Sequence, residues 1–148
     1  MIRPVNETVI TFDSHSANEG FARAAVAAFV SQLDPPVDQL ADLRTAVSEA
    51  VTNAIVHAYP DRLGPVTVGI RIYPAGRVTV RVRDKGRGID NIEQAMEPLF
   101  TTGGEERSGL GFSVMQSFTD RVRVRSRPGK GTCVTLEKQF AARDRVKP

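Results

Sequence analysis

Two stretches of the chain alternate arginine with valine: Arg77-Val78-Thr79-Val80-Arg81-Val82-Arg83 and Arg121-Val122-Arg123-Val124-Arg125. Successive side chains of a strand point to opposite faces, so each stretch gathers its valines on one side and its arginines on the other. The pattern requires a sheet with one buried and one solvated face, and an apolar layer to cover the valines. A nucleic-acid platform is the other reading of such a face, but no aromatic residue interleaves with the arginines to stack bases. A formal net charge of +3 is too small to argue for it. Direct nucleic-acid binding is not expected.

The covering layer can be read from the rest of the chain. Residues 5–12 alternate weakly and predict an opening strand. A helix is expected from Ser16 or Asn18, either of which suits an N-cap, to about Leu33, with Phe21, Ala25, Ala28 and Phe29 at helical spacing. Asp34-Pro35-Pro36 stops it. A second helix is predicted from about Val37 to His57, with Leu40, Leu43, Val47, Val51, Ala54 and Ile55 as its inner stripe and Tyr59-Pro60 at its end. Strands follow at 65–74 and 77–84, turning at Pro74-Ala75-Gly76. Residues 91–107 read as irregular, with a short helix around Ile92–Met96. A helix from about Ser108 to Phe118 precedes strands at 121–127 and 131–138.

Strands that arrive in hairpin-like pairs predict an α+β sandwich: a mixed, mostly antiparallel sheet with helices on one face, not a doubly wound parallel fold. A single domain over residues 1–140 is expected, followed by a polar tail at 141–148. No apolar run is long enough to cross a bilayer, and Met1–Glu7 lacks the basic-then-apolar pattern of a signal peptide. The single cysteine, Cys133, has no partner for an internal disulfide. A cytoplasmic protein without membrane contact is therefore expected.

Four clusters can carry chemistry. Glu49, Asn53 and His57 follow each other at i, i+4, i+8 and line one side of the second helix. Glutamate and asparagine are oxygen donors suited to Mg²⁺, and a carboxylate one turn from a metal ligand can take a proton from an attacking hydroxyl. The same residues also suit a solvated helix edge. Asp84-Lys85-Gly86-Arg87-Gly88-Ile89 ends a strand. Its glycines allow a close approach to a flat ligand, and its carboxylate can accept from an exocyclic amine such as that of adenine. A plain glycine turn fits as well. Thr101–Phe112 runs through Gly103-Gly104 into Ser108-Gly109-Leu110-Gly111, which opens a helix whose free N–H groups suit phosphate. A surface loop is the alternative. Gly129-Lys130-Gly131-Thr132 lacks the G-x-x-x-x-G-K-[ST] spacing of a P-loop and suits a hairpin turn.

The order of these elements is more telling than any one of them. A long helix with Glu-x-x-x-Asn, a strand ending in Asp-x-Gly-x-Gly, a loop with Gly-x-Gly opening a helix, and Gly-x-Gly-Thr before a strand together resemble the Bergerat (GHKL) ATP-binding fold. Gyrase-type ATPases, histidine kinases and MutL share that fold, with ATP held between helices and sheet. At 148 residues there is no room for the separate dimerisation and phosphoacceptor domain of a histidine kinase. Phe21-Ala22-Arg23, Ser48–Ile55, Pro98–Thr102 and Arg107–Phe112 are similar to the anti-sigma factor serine kinases, most of all to the sporulation, sigma F type. The general-stress, sigma B type is the near alternative, and a non-catalytic ATP-dependent partner-binding module is another.

The resemblance implies a site. Asn53 would ligand Mg²⁺ and Glu49 would be the general base. Asp84 would hold the adenine amine of ATP or ADP, with Gly86, Gly88, Ile89 and Thr132 nearby. Thr102, Arg107, Ser108, Gly109, Leu110 and Gly111 would wrap the phosphates. It also implies a sigma factor bound by a homodimer and an anti-anti-sigma protein phosphorylated on serine, with Arg23 as a partner contact. Arg23 equally fits a solvated helix position. The unpaired edge of the opening strand suits a dimer seam. His57 is open between a role beside Asn53 and one at the helix end.

Overall fold

The structure, a computed structural model, describes residues 2–96 and 110–141. The alternating stretches are strands. β1 (Asn6–Asp13), β2 (Pro65–Ile72), β3 (Arg77–Asp84), β4 (Arg121–Arg127) and β5 (Gly131–Gln139) form one five-stranded sheet in the order β1-β2-β3-β5-β4. Each of these pairings is antiparallel, so the described sheet has no parallel pair. Val80 of β3 lies between Ile70 of β2 and Leu136 of β5, and Val82 lies between Val68 and Val134. These residues are buried, while Arg81 and Arg83 between them are exposed.

Helices α1 (Asn18–Val30), α2 (Val37–Thr52), α3 (Ile92–Ala95) and α4 (Phe112–Phe118) complete the described elements, with helical turns at Ser31–Leu33, Asn53–His57 and Pro74–Gly76. Helix α2 carries the expected stripe: Leu43, Val47, Val51, Ala54 and Ile55 are buried, joined by Ala46 and Ala50, and Leu40 packs at the margin. Its last turn widens to a π-helix, with the Ala58 N–H donating to Asn53 O at 3.0 Å.

Helix α1 departs from expectation in phase. Ala22, Val26 and Val30 face the core, whereas Phe21 is 52% exposed and Ala28 is exposed. The i, i+4 ridge of small and β-branched residues allows α1 to lie close on α2, and Phe21 instead meets Phe12 edge to face, centroids 6.1 Å apart. Neither Ser16 nor Asn18 caps α1. Its N-cap is Ala17, and the Asn18 side chain donates back to Asp13 O at 2.8 Å, tying helix to strand. Residues 108 and 109 of the expected fourth helix lie outside the described residues, and α4 is described from Phe112.

One charged residue occupies the apolar face. Lys138 is 9% exposed; its Nζ donates to Phe118 O at 3.0 Å, the last carbonyl of α4, and lies 4.0 Å from Asp42 Oδ2. A cation at a helix C-terminus interacts favourably with the helix dipole, which compensates part of its desolvation.

Leu43, fully buried where α2 meets its neighbours, offers a test of this packing. Leu43→Ala is expected to lower unfolding free energy by about 2–5 kcal/mol in urea titrations, with the slope unchanged.

Candidate functional site

A cavity of about 410 Å³ opens between the end of α2, the ends of β3 and β5, and the turn that precedes α4. Its size suits a small organic ligand. Ala50, Ala54, Val82, Phe112 and Val134 give it an apolar lining, and Asn53, His57, Asp84, Arg87, Asp90 and Thr132 are its polar groups. Gly88, Ile89 and Leu110 also line it. An apolar slot with a few convergent polar groups is the pattern that binds a flat heterocycle and fixes its orientation.

Asp84 is set at the end of β3 by two contacts. Its Oδ1 accepts the N–H of Gly86 at 3.0 Å and the N–H of Thr132 at 3.1 Å. Among the described residues both bonds fall on Oδ1, which leaves Oδ2 as the oxygen available to a ligand. Burial raises the Asp84 pKa, and the two backbone amides oppose that rise. The Ser126 hydroxyl supports the same corner. It accepts the Ile89 N–H at 2.8 Å, donates to Gly131 O at 3.1 Å and lies 2.7 Å from Thr132 Oγ1.

The glycine turn after Asp84 is pressed against the end of α2. A Cβ on Gly86 would lie 2.2 Å from Ala58 O, the carbonyl that accepts the Arg87 N–H at 3.0 Å. Only glycine fits there, because the displaced group is backbone. Tyr59 fixes the turn from the other side. Its hydroxyl accepts the Lys85 N–H at 2.6 Å and donates to Pro65 O at 2.7 Å, and the side chain is 4% exposed. Burial keeps the phenol protonated by raising its pKa, against the opposing Lys85 hydrogen bond.

The second half of the site is the meeting of α2 with the turn Leu110–Gly111. Asn53 Nδ2 donates to Leu110 O. That contact orients the amide and leaves Oδ1 as its acceptor atom. Gly111 has φ 67°, and a Cβ there would lie 2.2 Å from Glu49 Oε2. The half-buried Glu49 carboxylate therefore rests against Gly111 backbone, one helical turn from Asn53. Among the described residues no group of three His, Cys, Asp or Glu side chains is placed to hold a metal. A cation at Asn53 would take most of its ligands from phosphate and water, which is how Mg²⁺ is usually held.

Of the residues singled out by sequence, Glu49, Asn53, Asp84, Gly86, Gly88, Ile89, Leu110, Gly111 and Thr132 converge on this corner. His57 joins them as a lining residue. Thr102, Arg107, Ser108 and Gly109 lie outside the described residues. Residues 128–130 form the hairpin turn, with Lys130 N–H donating to Arg127 O at 2.9 Å. Arg23 stands apart on α1. It lies 3.7 Å from Glu19, whose Oε2 accepts the Ser48 hydroxyl at 2.9 Å. Two residues were missed. Ser126 had a signal, since it occupies a valine-face position of β4 with a hydroxyl. Tyr59 had none beyond its place at the helix end.

Residues 12–138 match the family model of the histidine kinase-like ATPase domain. The chain is 52% identical over 138 residues to an anti-sigma F factor of Thermoanaerobacter sp., covering 93% of this chain and 96% of that protein. It is 54% identical over 137 residues to an anti-sigma F factor of Clostridium beijerinckii, covering 91% and 95%. Among solved structures, the RsbU and RsbW domains of a Mycobacterium tuberculosis protein superpose with a TM-score of 0.69 at 20% identity, over 98% of this chain and 35% of that one. The chain therefore belongs to the histidine kinase-like ATPase family and, within it, to the anti-sigma F factors. No helix among the described residues is long and apolar enough to cross a membrane.

Tyr59→Phe leaves the Lys85 N–H without its buried acceptor, a loss of about 1–3 kcal/mol. We expect this variant to fold with a lower melting temperature and to bind ATP several-fold more weakly in calorimetry, an effect centred on the Asp84 turn.

Proposed function

We propose that this protein is an anti-sigma factor of the sigma F type that also acts as a protein serine kinase, using Mg-ATP to phosphorylate its anti-anti-sigma partner. Its family membership supports an ATP-binding domain, and the names of its relatives support a sigma factor as partner. The single observation that carries the kinase reading is the Glu49 carboxylate resting one turn from Asn53, at a cavity that also contains Asp84.

That arrangement and the family resemblance support the following roles. Asp84 accepts the adenine amine through its unshared oxygen, while Gly86, Gly88, Ile89 and Thr132 shape the slot around the ring. Asn53 Oδ1 would hold the metal, and Mg²⁺ there would offset the charge of the phosphates. Glu49 takes the proton from the incoming serine hydroxyl. The serine oxygen bonds to the γ-phosphorus as the bond to the β-phosphate oxygen breaks and ADP leaves. Leu110 and Gly111, with Thr102, Arg107, Ser108 and Gly109, surround the phosphates.

Partner binding belongs to a different surface. Arg23 on α1 is the proposed contact, and its guanidinium is exposed enough to reach a partner. Glu19 and Ser48 link it to α2 next to Glu49. The protein is proposed to act as a homodimer, with the free edge of β1 as its seam.

Glu49→Gln is expected to cut phosphoryl transfer from labelled ATP to an anti-anti-sigma protein by about 10²–10⁴-fold, with ATP affinity nearly unchanged. Transfer at the normal rate by this variant would remove Glu49 as the base. Tight ATP binding by the native chain without any transfer would instead favour a non-catalytic module.

Acid provides a second test. The adenine contact needs the Asp84 carboxylate, and its pKa is raised. ATP affinity should therefore fall on acidification beginning above the ordinary carboxylate range, as pH drops through that raised value. Asp84→Asn should bind weakly at neutral pH and show no such fall in calorimetric titrations.

A further inference from the structure

The arginine face of the sheet lies opposite the nucleotide cavity, and the strand registers fix its arrangement. Thr135 of β5 is flanked by Arg81 of β3 and Arg123 of β4, and Cys133 by Arg83 and Arg125. These six residues line a shallow cup of about 200 Å³. Strand spacing sets the two arginine banks about 10 Å apart across β5, with about 7 Å between arginines along each bank. Short side chains form the floor, so the guanidiniums rise over a trough.

Charge on this face is sorted. Arg71 pairs with Glu7 at 3.2 Å, and Arg77 with Glu137 at 3.5 Å. Among the described residues no carboxylate pairs with Arg81, Arg83, Arg123 or Arg125, all of which are exposed. The four guanidiniums therefore form one concentration of positive charge on the sheet surface, to which an anion would be drawn.

We propose that this cup docks a short acidic segment of a protein partner in extended form, at a site independent of the nucleotide cavity. Carboxylates two residues apart on an extended peptide repeat at about 7 Å, the same repeat as the arginines on each bank. A carboxylate over Thr135 would be reached by Arg81 and Arg123, and the next one by Arg83 and Arg125. Each would accept charge-assisted hydrogen bonds from two sides. A long polyanion suits the cup less well. Glu137 stands next in line on β5, and the cup itself is lined by no aromatic residue on which a base could stack. A second copy presenting the same face is disfavoured, since it would set arginines against arginines.

The test uses the full chain and two fluorescent peptides, Ser-Glu-Thr-Glu-Thr-Glu-Ser and its glutamine counterpart, with fluorescence anisotropy as readout. The acidic peptide should bind in low salt and be released by added salt. The glutamine peptide and the double variant Arg83→Gln/Arg123→Gln should each weaken binding by about tenfold or more. The melting curve and ATP affinity of that variant should be unchanged, and Arg44→Gln/Arg62→Gln, away from the cup, should bind the acidic peptide normally. Equal binding of both peptides, or undiminished binding by the cup variant, overturns the proposal. Stronger binding of oligothymidylate than of the acidic peptide also overturns it, in favour of nucleic acid. A change in particle mass of the cup variant by light scattering overturns it in favour of contact between copies. None of these outcomes depends on kinase activity.

Discussion

Helix α2 lies against the valine face of the sheet through Leu43, Val47 and Val51, with α1 and α4 packed on its flanks. Burial of that stripe is the contact from which the site is suspended. An apolar ridge seated in a close-packed core leaves a helix little freedom to rotate. Glu49 and Asn53, on the adjacent edge, are therefore carried to one place by residues that never touch a ligand. The turn at Leu110–Gly111 then meets them with backbone, through the Asn53 amide and the close approach of Glu49 to Gly111.

The other half of the site is held by hydrogen bonds rather than burial alone. Asp84 spends one oxygen on the amides of Gly86 and Thr132 and keeps the other for a ligand. This division sets direction as well as affinity, because the fixed oxygen determines where the free one points. Ala58 O and the Tyr59 hydroxyl then lock the glycine turn to the end of α2. The two halves of the cavity share a common anchor at that helix end. A π-helical last turn is a frequent companion of functional sites, and here it places the Ala58 carbonyl against the turn.

Much of the site was legible before the structure because it is encoded locally. Glu49 and Asn53 share a helix side by periodicity, and Asp84, Gly86 and Gly88 follow one strand. What escaped was what depends on distant neighbours. The phase of α1 is decided by close packing on α2, so Phe21 yields its expected inward place to Ala22 and Val26. The Asn18 side chain prefers a strand carbonyl to its own helix. Tyr59 supports the Asp84 turn from 26 positions away, and nothing local announces that bond.

The sequence by itself determined the two-faced sheet, the α2 stripe and the order of the glycine turns, because strand alternation and helical periodicity are properties of neighbouring residues. Only the tertiary structure decided which Asp84 oxygen is free, which side chains brace the turn and which arginines on the open face are left without a carboxylate among the described residues. The open-face arginines look alike in sequence. Antiparallel register gives Arg77 a neighbour in Glu137 and leaves Arg81, Arg83, Arg123 and Arg125 around Thr135 and Cys133. Pairing across strands is a long-range choice, and no local pattern encodes it.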